Sequence, residues 1–389
     1  MKKILFVLYS MKYGGAERSL ANLLQTLPEG KYDVDVLLFQ KTGDFLKQVP
    51  AWINILDTPR DMVDISAPIK ETLWRGTTKV VGTLCSRLAR RSYKEQTAWR
   101  WKHFYTRKIK PLPTHYDVAV AYAGCEHLYF VRDKVSADRK LVWIHNDYRS
   151  ADYSPVDDAP YFADMDEIVS VSDKCVDVLR EIFPQFEDRM HCIENITSST
   201  NVKKLAQEHW PEEYDKEMLN ILSVGRLHPQ KGFDIAIKAA AILRKTGLNF
   251  RWYIIGKGTL QKDLERQIRE NGVEGCFILL GTRFNPYPYI KNSKMIVQPS
   301  RTEGKSVVLD ESKILCTPIV ASDYVTVRDQ IKEGDEGIIT EMSPHGIAQG
   351  ILRMLNEEGL YDHIKEYLAA HEYGNEAECE KYMALLDKD

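Results

Sequence analysis

The feature that most constrains the fold is a series of unbroken apolar runs of strand length, separated by segments with helical spacing. The run "ILFVLYS" is followed by a glycine-rich turn and then by "AERSLANLLQTLP", in which leucines recur every three or four residues. Because strands buried on both faces need no polar alternation, this pattern predicts a parallel sheet covered by helices on both sides. Further runs of this kind are "YDVDVLLF", "YDVAVAYA", "KLVWIHND" and "EIVSVS".

The same pattern restarts at residue 219. A chain of 389 residues is too long for one compact core and suits two domains. We therefore predict an α/β protein with two doubly wound domains, at 1–195 and 219–374, a linker region at 196–218, and a final helix at about 375–389 that could pack back on the first domain. The strand-like runs of the second domain are "LNILSVGRL", "FRWYIIGKG", "CFILLGT", "MIVQPS", "PIVAS" and "EGIIT".

The composition excludes several classes of protein. An apolar fraction of 44%, a charged fraction of 28% and a net charge of -3 are typical of a soluble globular protein with no overall attraction to nucleic acid. The seven cysteines form no C-x-x-C pair, so we expect reduced thiols in a cytoplasm rather than a zinc site or disulfide framework. The first apolar run is shorter than a signal core, and no run approaches the roughly 18 residues that span a bilayer. Any membrane association is therefore expected to be peripheral.

A candidate anion site lies at the start of the second domain. Arg226 ends the first strand-like run, and Lys231 follows it across a turn into a helix that Asp234 could cap. Two positive charges beside a helix amino terminus suit a diphosphate. The alternative is a pair of solvated surface cations. The nearby "GKG" is a weak signal for ligand binding and is more often only a turn.

The second candidate feature is a pair of glutamates eight positions apart. Glu303 is predicted in a loop after the run "MIVQPS", and Glu311 in the helix that follows. Free backbone N–H groups at Ser306 and Val307 could hold phosphate, while each carboxylate could accept hydrogen bonds from sugar hydroxyls. The alternative is an exposed loop acid and an exposed helix acid.

These segments resemble a known family when taken together. "SVGRLHPQKGFD" and "PSRTEGKSVVLDESKILCTPIVAS" are similar to the retaining glycosyltransferases of the GT-B fold, glycosyltransferase family four. The E-x7-E motif of that family matches at Glu303 and Glu311, and its Arg and Lys pair matches at Arg226 and Lys231. The resemblance implies two Rossmann-like domains that face a central cleft, where such sheets bind ligands at their carboxyl ends.

Two segments of the first domain also resemble this family. "GGAER", which contains Gly15, is similar to its N-terminal glycine loop, and "WIHND" resembles the segment with its active-site histidine, here His145. The resemblance implies that Gly15 brings the backbone close to the phosphates or the acceptor. It implies that His145 supports the sugar or the transition state, since transfer with retention needs no protein nucleophile. A lone histidine after a strand is otherwise an ordinary structural residue.

The resemblance also assigns the roles in the second domain. Arg226 and Lys231 would neutralise the departing diphosphate, so no metal cofactor is expected. Glu311 would bind the nucleotide ribose, and Glu303 would hold hydroxyls of the transferred sugar. Ser306 and Val307 would contact the donor.

The function predicted on this basis is a hexosyltransferase-type enzyme that takes its sugar from a nucleotide diphosphate, with UDP favoured and GDP next. The acceptor would be a glycan or lipid-linked oligosaccharide in bacterial capsule, exopolysaccharide or lipopolysaccharide synthesis. A nucleotide-sugar epimerase of the same fold and a noncatalytic glycan-binding scaffold are alternatives. A nicotinamide oxidoreductase is not supported, because no complete G-x-G-x-x-G is present.

Two residues depart from the family pattern. Lys305 stands where the family commonly has an apolar residue, and Asp310 lies directly beside Glu311. Lys305 could contact a phosphate or an acidic sugar, or it could face solvent at a helix start. Asp310 leaves open which carboxylate meets the ribose, although the motif spacing favours Glu311.

Residues 70–113 carry a local excess of positive charge, with twelve Lys or Arg against two Glu, and with aromatic residues interleaved. This mixture is typical of a segment on an anionic lipid surface. RNA binding and a plain solvated helix face are alternatives. The resemblance favours the membrane, because many such enzymes act on lipid-carried acceptors at the inner face of the cell membrane. The predicted acceptor or membrane surface consists of Arg87, Arg90, Arg91, Trp99 and Trp101.

Overall fold

The computed structural model describes residues 1–12, 14–62, 77–89, 92–151 and 153–388. The chain divides into two compact units. The first consists of Met1–Asn195 and Ala377–Asp389, and the second of Ile196–Glu376. The region at 196–218, interpreted from sequence as a linker, contains the helix Ser199–Leu205 and belongs to the second unit.

The first unit is built on a parallel sheet, which has seven strands among the residues described, in the order β3-β2-β1-β4-β5-β6-β7. The chain starts in the middle of the sheet and winds outward in both directions, which makes the sheet doubly wound. The edge strands β3 and β7 escape sequence reasoning because they are too short to form an apolar run. The strands are β1 Lys2–Leu8, β2 Tyr32–Leu38, β3 Asn54–Ile55, β4 His115–Ala121, β5 Ser136–Ile144, β6 Glu167–Ser170 and β7 Met190–Cys192.

The central strands of this sheet are apolar on both faces because both faces are covered. Ile4 of β1 is aligned with Val34 of β2 on one side and Val118 of β4 on the other, and all three are buried. Around the sheet lie the helices Gly15–Thr26, Thr77–Ala89, Tyr93–Arg100, Glu126–Lys134, Pro155–Phe162, Asp173–Ile182 and Glu378–Asp387, the short turns Thr106–Lys108, Asp44–Gln48 and Pro184–Arg189, and a π-helical turn at Trp101–Tyr105.

The final helix, Glu378–Asp387, packs against the sheet of the first unit. Tyr382 is fully buried, and its ring stacks on Trp143 of β5 with centroids 5.3 Å apart and planes 7° from parallel. The end of the helix is held by charge, since Lys31 Nζ lies 2.7 Å from the Asp387 carboxylate. Arg139 donates a 2.9 Å hydrogen bond to the Leu385 carbonyl.

The second unit repeats the same plan. Its parallel sheet has six strands within the described chain, ordered β10-β9-β8-β11-β12-β13. The predicted α/β fold with two doubly wound parallel sheets is therefore confirmed. The strands are β8 Leu219–Val224, β9 Phe250–Ile255, β10 Phe277–Gly281, β11 Met295–Gln298, β12 Ile319–Ser322 and β13 Gly337–Thr340, and the helices are Ser199–Leu205, Phe233–Lys245, Gln261–Glu270, Tyr287–Asn292, Val307–Ile314, Pro344–Asn356 and Leu360–Ala370, with 3-10 turns at Pro229–Lys231 and Val327–Asp329.

None of the helices in the described ranges combines the length and the apolar composition required to cross a bilayer.

The stacking of the final helix gives a stability prediction. Tyr382→Ala should lower the free energy of unfolding by about 3 to 5 kcal/mol, because it leaves a cavity beside Trp143. The measurement is denaturant unfolding followed by circular dichroism. Glu380→Ala, on the exposed side of the same helix, is the matched control and should change the free energy by less than about 0.5 kcal/mol. A loss below about 1 kcal/mol for Tyr382→Ala would contradict this packing.

Candidate functional site

The two predicted cations of the second unit follow β8 but differ in their surroundings. Lys231 lies in the 3-10 turn Pro229–Lys231, and its Nζ donates a 2.6 Å hydrogen bond to Oε1 of Glu303. Its side chain is 17% exposed, and its stem passes over Gly225, where an added Cβ would lie 3.1 Å from Lys231 Cδ. Arg226 is exposed to solvent. The structure thus holds one cation in an ion pair and presents the other at the surface.

The turn that carries Lys231 is bound to the loop after β11. Arg301 donates to both oxygens of Asp234, at 2.8 and 2.7 Å, and to the Pro229 carbonyl at 2.7 Å. The hydrogen bond from Arg301 lowers the pKa of Asp234. Asp234 does not cap the helix as expected, because Gly232 is the N-cap and Asp234 already lies in the first turn.

Glycines let the loops at this edge approach closely. Gly232 has a φ of 65°, and a Cβ there would lie 1.9 Å from the Pro299 carbonyl oxygen. In the "GKG" turn, a Cβ on Gly256 would lie 1.8 Å from the Gly225 oxygen, and one on Gly258 would lie 2.3 Å from the Leu227 oxygen. The "GKG" glycines are therefore required by backbone packing against the turn that carries Arg226.

Glu303 is a buried carboxylate, so the alternative of an exposed loop acid is wrong. Besides Lys231, its Oε1 accepts hydrogen bonds from Ser300 Oγ at 2.7 Å and from Gln298 Nε2 at 3.4 Å. Its main-chain carbonyl accepts from Thr326 Oγ1 at 3.0 Å. These contacts hold both the side chain and the backbone of Glu303 at the carboxyl end of β11.

Glu311 is also buried, with 0% exposure, in the helix Val307–Ile314. Its Oε1 accepts a 3.1 Å hydrogen bond from the hydroxyl of Tyr287. Sequence reasoning missed Tyr287, since nothing in the local pattern joins the helix that begins at Tyr287 to one that begins 20 residues later. The only signal was the position of Tyr287 after the carboxyl end of β10.

The carboxylate of Asp310 has different partners from the carboxylate of Glu311. Its carboxylate lies 3.9 Å from Lys305 Nζ and 3.9 Å from Lys313 Nζ. The Lys305 side chain is 10% exposed, so the expectation that it could face solvent is wrong. The two adjacent acids thus differ in their partners: Asp310 lies near two ammonium groups, and Glu311 accepts from a phenol.

The amide of Ser306 is not free, which corrects the expectation that it could hold phosphate. Its N–H donates a 2.7 Å hydrogen bond to Oε1 of Gln330, and its hydroxyl donates to Oε1 of Gln298 at 2.8 Å. Val307 is buried and begins the helix directly after Ser306. The N terminus of this helix is therefore already bound by a side chain from the loop after β12.

The two predicted site residues of the first unit lie at the carboxyl edge of its sheet. Gly15 begins the helix that follows β1, and a Cβ there would meet no heavy atom of the described chain within 4 Å. His145 directly follows β5, and its ring centroid lies 4.8 Å from that of Tyr122. Burial lowers the pKa of His145 to about 4, although Asn195 and the Tyr122 backbone oppose the shift. The imidazole is therefore neutral near pH 7.

The basic stretch is only partly a surface. Arg87 is exposed, and Trp99 is half-buried with its ring 4.6 Å from that of His103. The expectation of a surface position is wrong for Trp101, which is 1% exposed and donates to Asp133 at 2.8 Å. The Trp101 ring packs against Tyr129 and Phe130 of the helix Glu126–Lys134, and this burial is more favourable for a large aromatic ring than exposure to water. Arg90 and Arg91 lie outside the described residues.

The part of the chain that the structure describes has no group of three or more His, Cys, Asp or Glu side chains placed to hold a metal ion. Metal independence stays a prediction.

The buried, neutral His145 gives a pH prediction. Its folded pKa, about 4, lies below the ordinary value of 6.5, so its contribution to stability is present above pH 6.5 and is lost as the pH falls towards 4. Between pH 7.5 and pH 5 the wild type should lose about 2 kcal/mol more unfolding free energy than His145→Gln, measured by denaturant titration at both values.

The control for this measurement is His115→Gln, which removes an exposed histidine of the same unit. It should keep the wild-type dependence on pH. Equal pH dependence in wild type and His145→Gln would show that the His145 imidazole is not held neutral.

Comparisons with known proteins agree with this architecture. Residues 206–371 match the family model described as glycosyl transferases group 1. The amylovoran biosynthesis glycosyltransferase AmsK of Erwinia amylovora is 31% identical over 189 residues, which are 44% of this chain and 45% of that protein. A 4-alpha-N-acetylgalactosaminyltransferase of Campylobacter jejuni, whose name gives a sugar carried on diphospho-undecaprenol as its substrate, is 34% identical over 36% of this chain and 38% of its own length. The matched segments therefore span less than half of these relatives.

Solved structures match over the whole chain. HepE of Anabaena in complex with UDP-glucose superposes with a TM-score of 0.72 at 16% identity, covering 99% of both chains. TarM of Staphylococcus aureus superposes with a TM-score of 0.65 at 13% identity, covering 100% of both chains. At these identities the likeness shows the fold. Residues 206–371 are thus similar to the glycosyl transferases group 1, and the chain as a whole shares the two-domain fold of HepE and TarM.

Proposed function

We propose that the protein is a glycosyltransferase that moves a sugar from a nucleotide diphosphate to a hydroxyl of a glycan or lipid-linked acceptor in polysaccharide biosynthesis. The observation that carries this proposal is the buried ion pair between Lys231 and Glu303, 2.6 Å apart, on the same sheet edge as the buried Glu311. A protein that only binds glycans has no need of a cation held in place for a leaving group. The match of residues 206–371 to the glycosyl transferases group 1 supports the same conclusion.

Lys231 is suited to stabilise the departing diphosphate. Negative charge develops on the leaving group as the glycosidic bond breaks, and a preorganised cation stabilises that charge without reorganising. The hydrogen bond to Glu303 keeps the ammonium in one place before the donor arrives. Arg226, exposed five residues earlier, would supply the second charge.

Glu303 is suited to hold hydroxyls of the transferred sugar. Ser300 and Lys231 both donate to Oε1, which orients the carboxylate. An ionised carboxylate accepts several hydrogen bonds through its two oxygens, and adjacent sugar hydroxyls are matching donors. Glu311, oriented by the Tyr287 hydroxyl, would accept in the same way from the ribose.

UDP is the proposed nucleotide, with GDP next. The support comes from structural neighbours, since HepE is described in complex with UDP-glucose and TarM with UDP. The contacts with the nucleotide proposed here, to diphosphate and ribose, are common to both nucleotides. The nucleobase of the donor is therefore to be identified by a direct binding screen.

Transfer with retention is proposed without a protein nucleophile. The acceptor hydroxyl forms the new bond to the anomeric carbon, the bond from that carbon to the phosphate oxygen breaks, and the hydroxyl proton passes to the departing phosphate. His145 is neutral because burial lowers its pKa to about 4, so it would act as a hydrogen-bonding group rather than a cation. A nucleotide-sugar epimerase would instead convert the donor without any acceptor, and product analysis separates the two.

The acceptor is proposed to be carried on lipid at the inner face of the cell membrane. The name of the Campylobacter relative includes an undecaprenol-linked substrate. In this chain the helix Thr77–Ala89 leaves Val81 48% and Leu84 58% exposed, and Arg87 is exposed one turn further on. Apolar side chains beside cations on one helix match the surface of an anionic bilayer.

Lys231→Met should lower the rate of sugar transfer by about 100-fold or more, because the leaving group loses a preorganised cation. The measurement is release of UDP or GDP from a panel of nucleotide sugars in the presence of lipid-linked acceptors. Lys262→Met, which removes an exposed lysine from the helix Gln261–Glu270, is the matched control and should keep the wild-type rate. A wild-type rate in Lys231→Met would refute the proposed site.

Replacement of Arg87, Arg90 and Arg91 together by Gln should weaken binding to vesicles containing phosphatidylglycerol by about 100-fold, at about 1 kcal/mol per cation. The measurement is co-sedimentation at low and physiological salt. The matched control replaces Lys262, Arg269 and Lys291, three exposed cations of the second unit, and should bind as the wild type does. Unchanged sedimentation of the first variant would remove the membrane proposal.

A further inference from the structure

The loop after β12 is bonded repeatedly to the loop that carries Glu303. Thr326 Oγ1 donates a 3.0 Å hydrogen bond to the Glu303 carbonyl. The Gln298 amide lies between the hydroxyl of Tyr324 and the carboxylate of Glu303, at 3.4 Å from each. Sequence reasoning assigned no role to this loop. Its contacts nevertheless converge on the residue proposed to hold the sugar.

Gln330 makes the most specific of these contacts. Its Oε1 accepts from the Ser306 N–H at 2.7 Å, and its Nε2 donates to the Ser306 carbonyl at 3.0 Å. The same Nε2 lies 3.4 Å from Asp310 Oδ1. A side-chain amide bonded to both main-chain groups of one residue fixes the orientation of that residue, much as a neighbouring strand would.

Gln330 is itself held from two directions. Its side chain is buried, with 4% of the residue exposed, and its main-chain carbonyl accepts a 2.8 Å hydrogen bond from Lys313 Nζ. Lys313 belongs to the helix Val307–Ile314, which also carries Glu311. Gln330 therefore connects the start and the end of this helix to the loop after β12.

The contact between Gln330 and Ser306 bears on the proposed site because Ser306 is close to Glu303 in the chain. Ser306 lies three residues after Glu303 and is the N-cap of the helix Val307–Ile314. Only Gly304 and Lys305 lie between them in the chain. Lys231 and Ser300 bind the side chain of Glu303. Gln330 binds the backbone three residues further along the chain, at Ser306.

We propose that Gln330 is a positioning residue for the donor sugar: by binding the main chain of Ser306 on both sides, it sets the place of Glu303. The proposal rests on the proposed function. The contact with Ser306 lies closer in the chain to Glu303, which is assigned to the sugar, than to Glu311, which is assigned to the ribose and is bound by Tyr287 at 3.1 Å, so we expect the larger effect on the sugar half of the donor.

The test compares the affinity for UDP with that for UDP-glucose, by isothermal titration calorimetry on the full chain. GDP and GDP-mannose form a second arm. Gln330→Met keeps the length of the side chain and removes both hydrogen bonds to Ser306. We expect the dissociation constant of the nucleotide sugar to rise by about tenfold, and that of the free nucleotide to change by less than about threefold. A purely structural role would lower the melting temperature without changing the ratio of the two constants.

The matched control is Asn220→Leu. Asn220 is also a buried amide that donates to a main-chain carbonyl, that of Asp215 at 2.8 Å, but it lies near the amino end of β8. This variant should lose stability and keep the wild-type ratio. A second variant, Gln330→Glu, keeps an acceptor for the Ser306 N–H and loses the donor to its carbonyl. It should raise the ratio at least as much as Gln330→Met does, because its carboxylate would face the Ser306 carbonyl and the Asp310 carboxylate.

Three outcomes overturn the inference. A wild-type ratio in folded Gln330→Met shows that Gln330 does not position Glu303. Loss of the fold in both Gln330 variants assigns the residue to stability alone. A wild type that binds neither nucleotide nor nucleotide sugar in either arm refutes the proposed function, which is a distinguishable result because it does not depend on any variant.

Discussion

The ion pair between Lys231 and Glu303 is the interaction on which the candidate site depends. Both groups are largely buried, and each would be strongly disfavoured there without the other. Their contact joins the loop after β8 to the loop after β11, two strands that are hydrogen-bonded neighbours in the sheet. A parallel sheet brings the carboxyl ends of its strands to one edge, so residues 72 positions apart in the chain can meet.

Further contacts hold the loop after β8 and the loop after β11 close together. Arg301 binds Asp234 and the Pro229 carbonyl, and Gly232 gives the backbone room to approach Pro299. On the other side of Glu303, Thr326 and Gln330 bind the main chain. The segment that carries Glu303 is thus held by contacts from two different loops, one after β8 and one after β12. Such preorganisation is what electrostatic stabilisation of a leaving group requires, since a mobile cation would have to be ordered at each turnover.

The first unit has the same doubly wound plan but a different chemistry at its edge. His145 packs against the ring of Tyr122, and its lowered pKa makes it a neutral hydrogen-bonding group. Ser19 bonds to both Tyr122 and Asn195, at 2.8 and 2.6 Å, beside that histidine. The open space beside Gly15 lies at the same edge. The described edge of the second unit thus carries a buried ion pair, whereas that of the first unit carries a neutral histidine beside hydrogen-bonded hydroxyl and amide groups.

The amino-acid sequence predicted the longer strands, several of the helices and the loop and helix positions of Glu303 and Glu311, because apolar periodicity and motif spacing are local properties of the chain. It did not reveal that Gln330 occupies the Ser306 amide, that Tyr287 binds Glu311, or that Trp101 is buried. Those outcomes depend on which side chains meet when distant segments pack, and each polar group then takes the partner that burial makes available. The local pattern predicts where a helix begins, whereas the packing of distant segments determines which groups at the end of that helix remain available to a ligand.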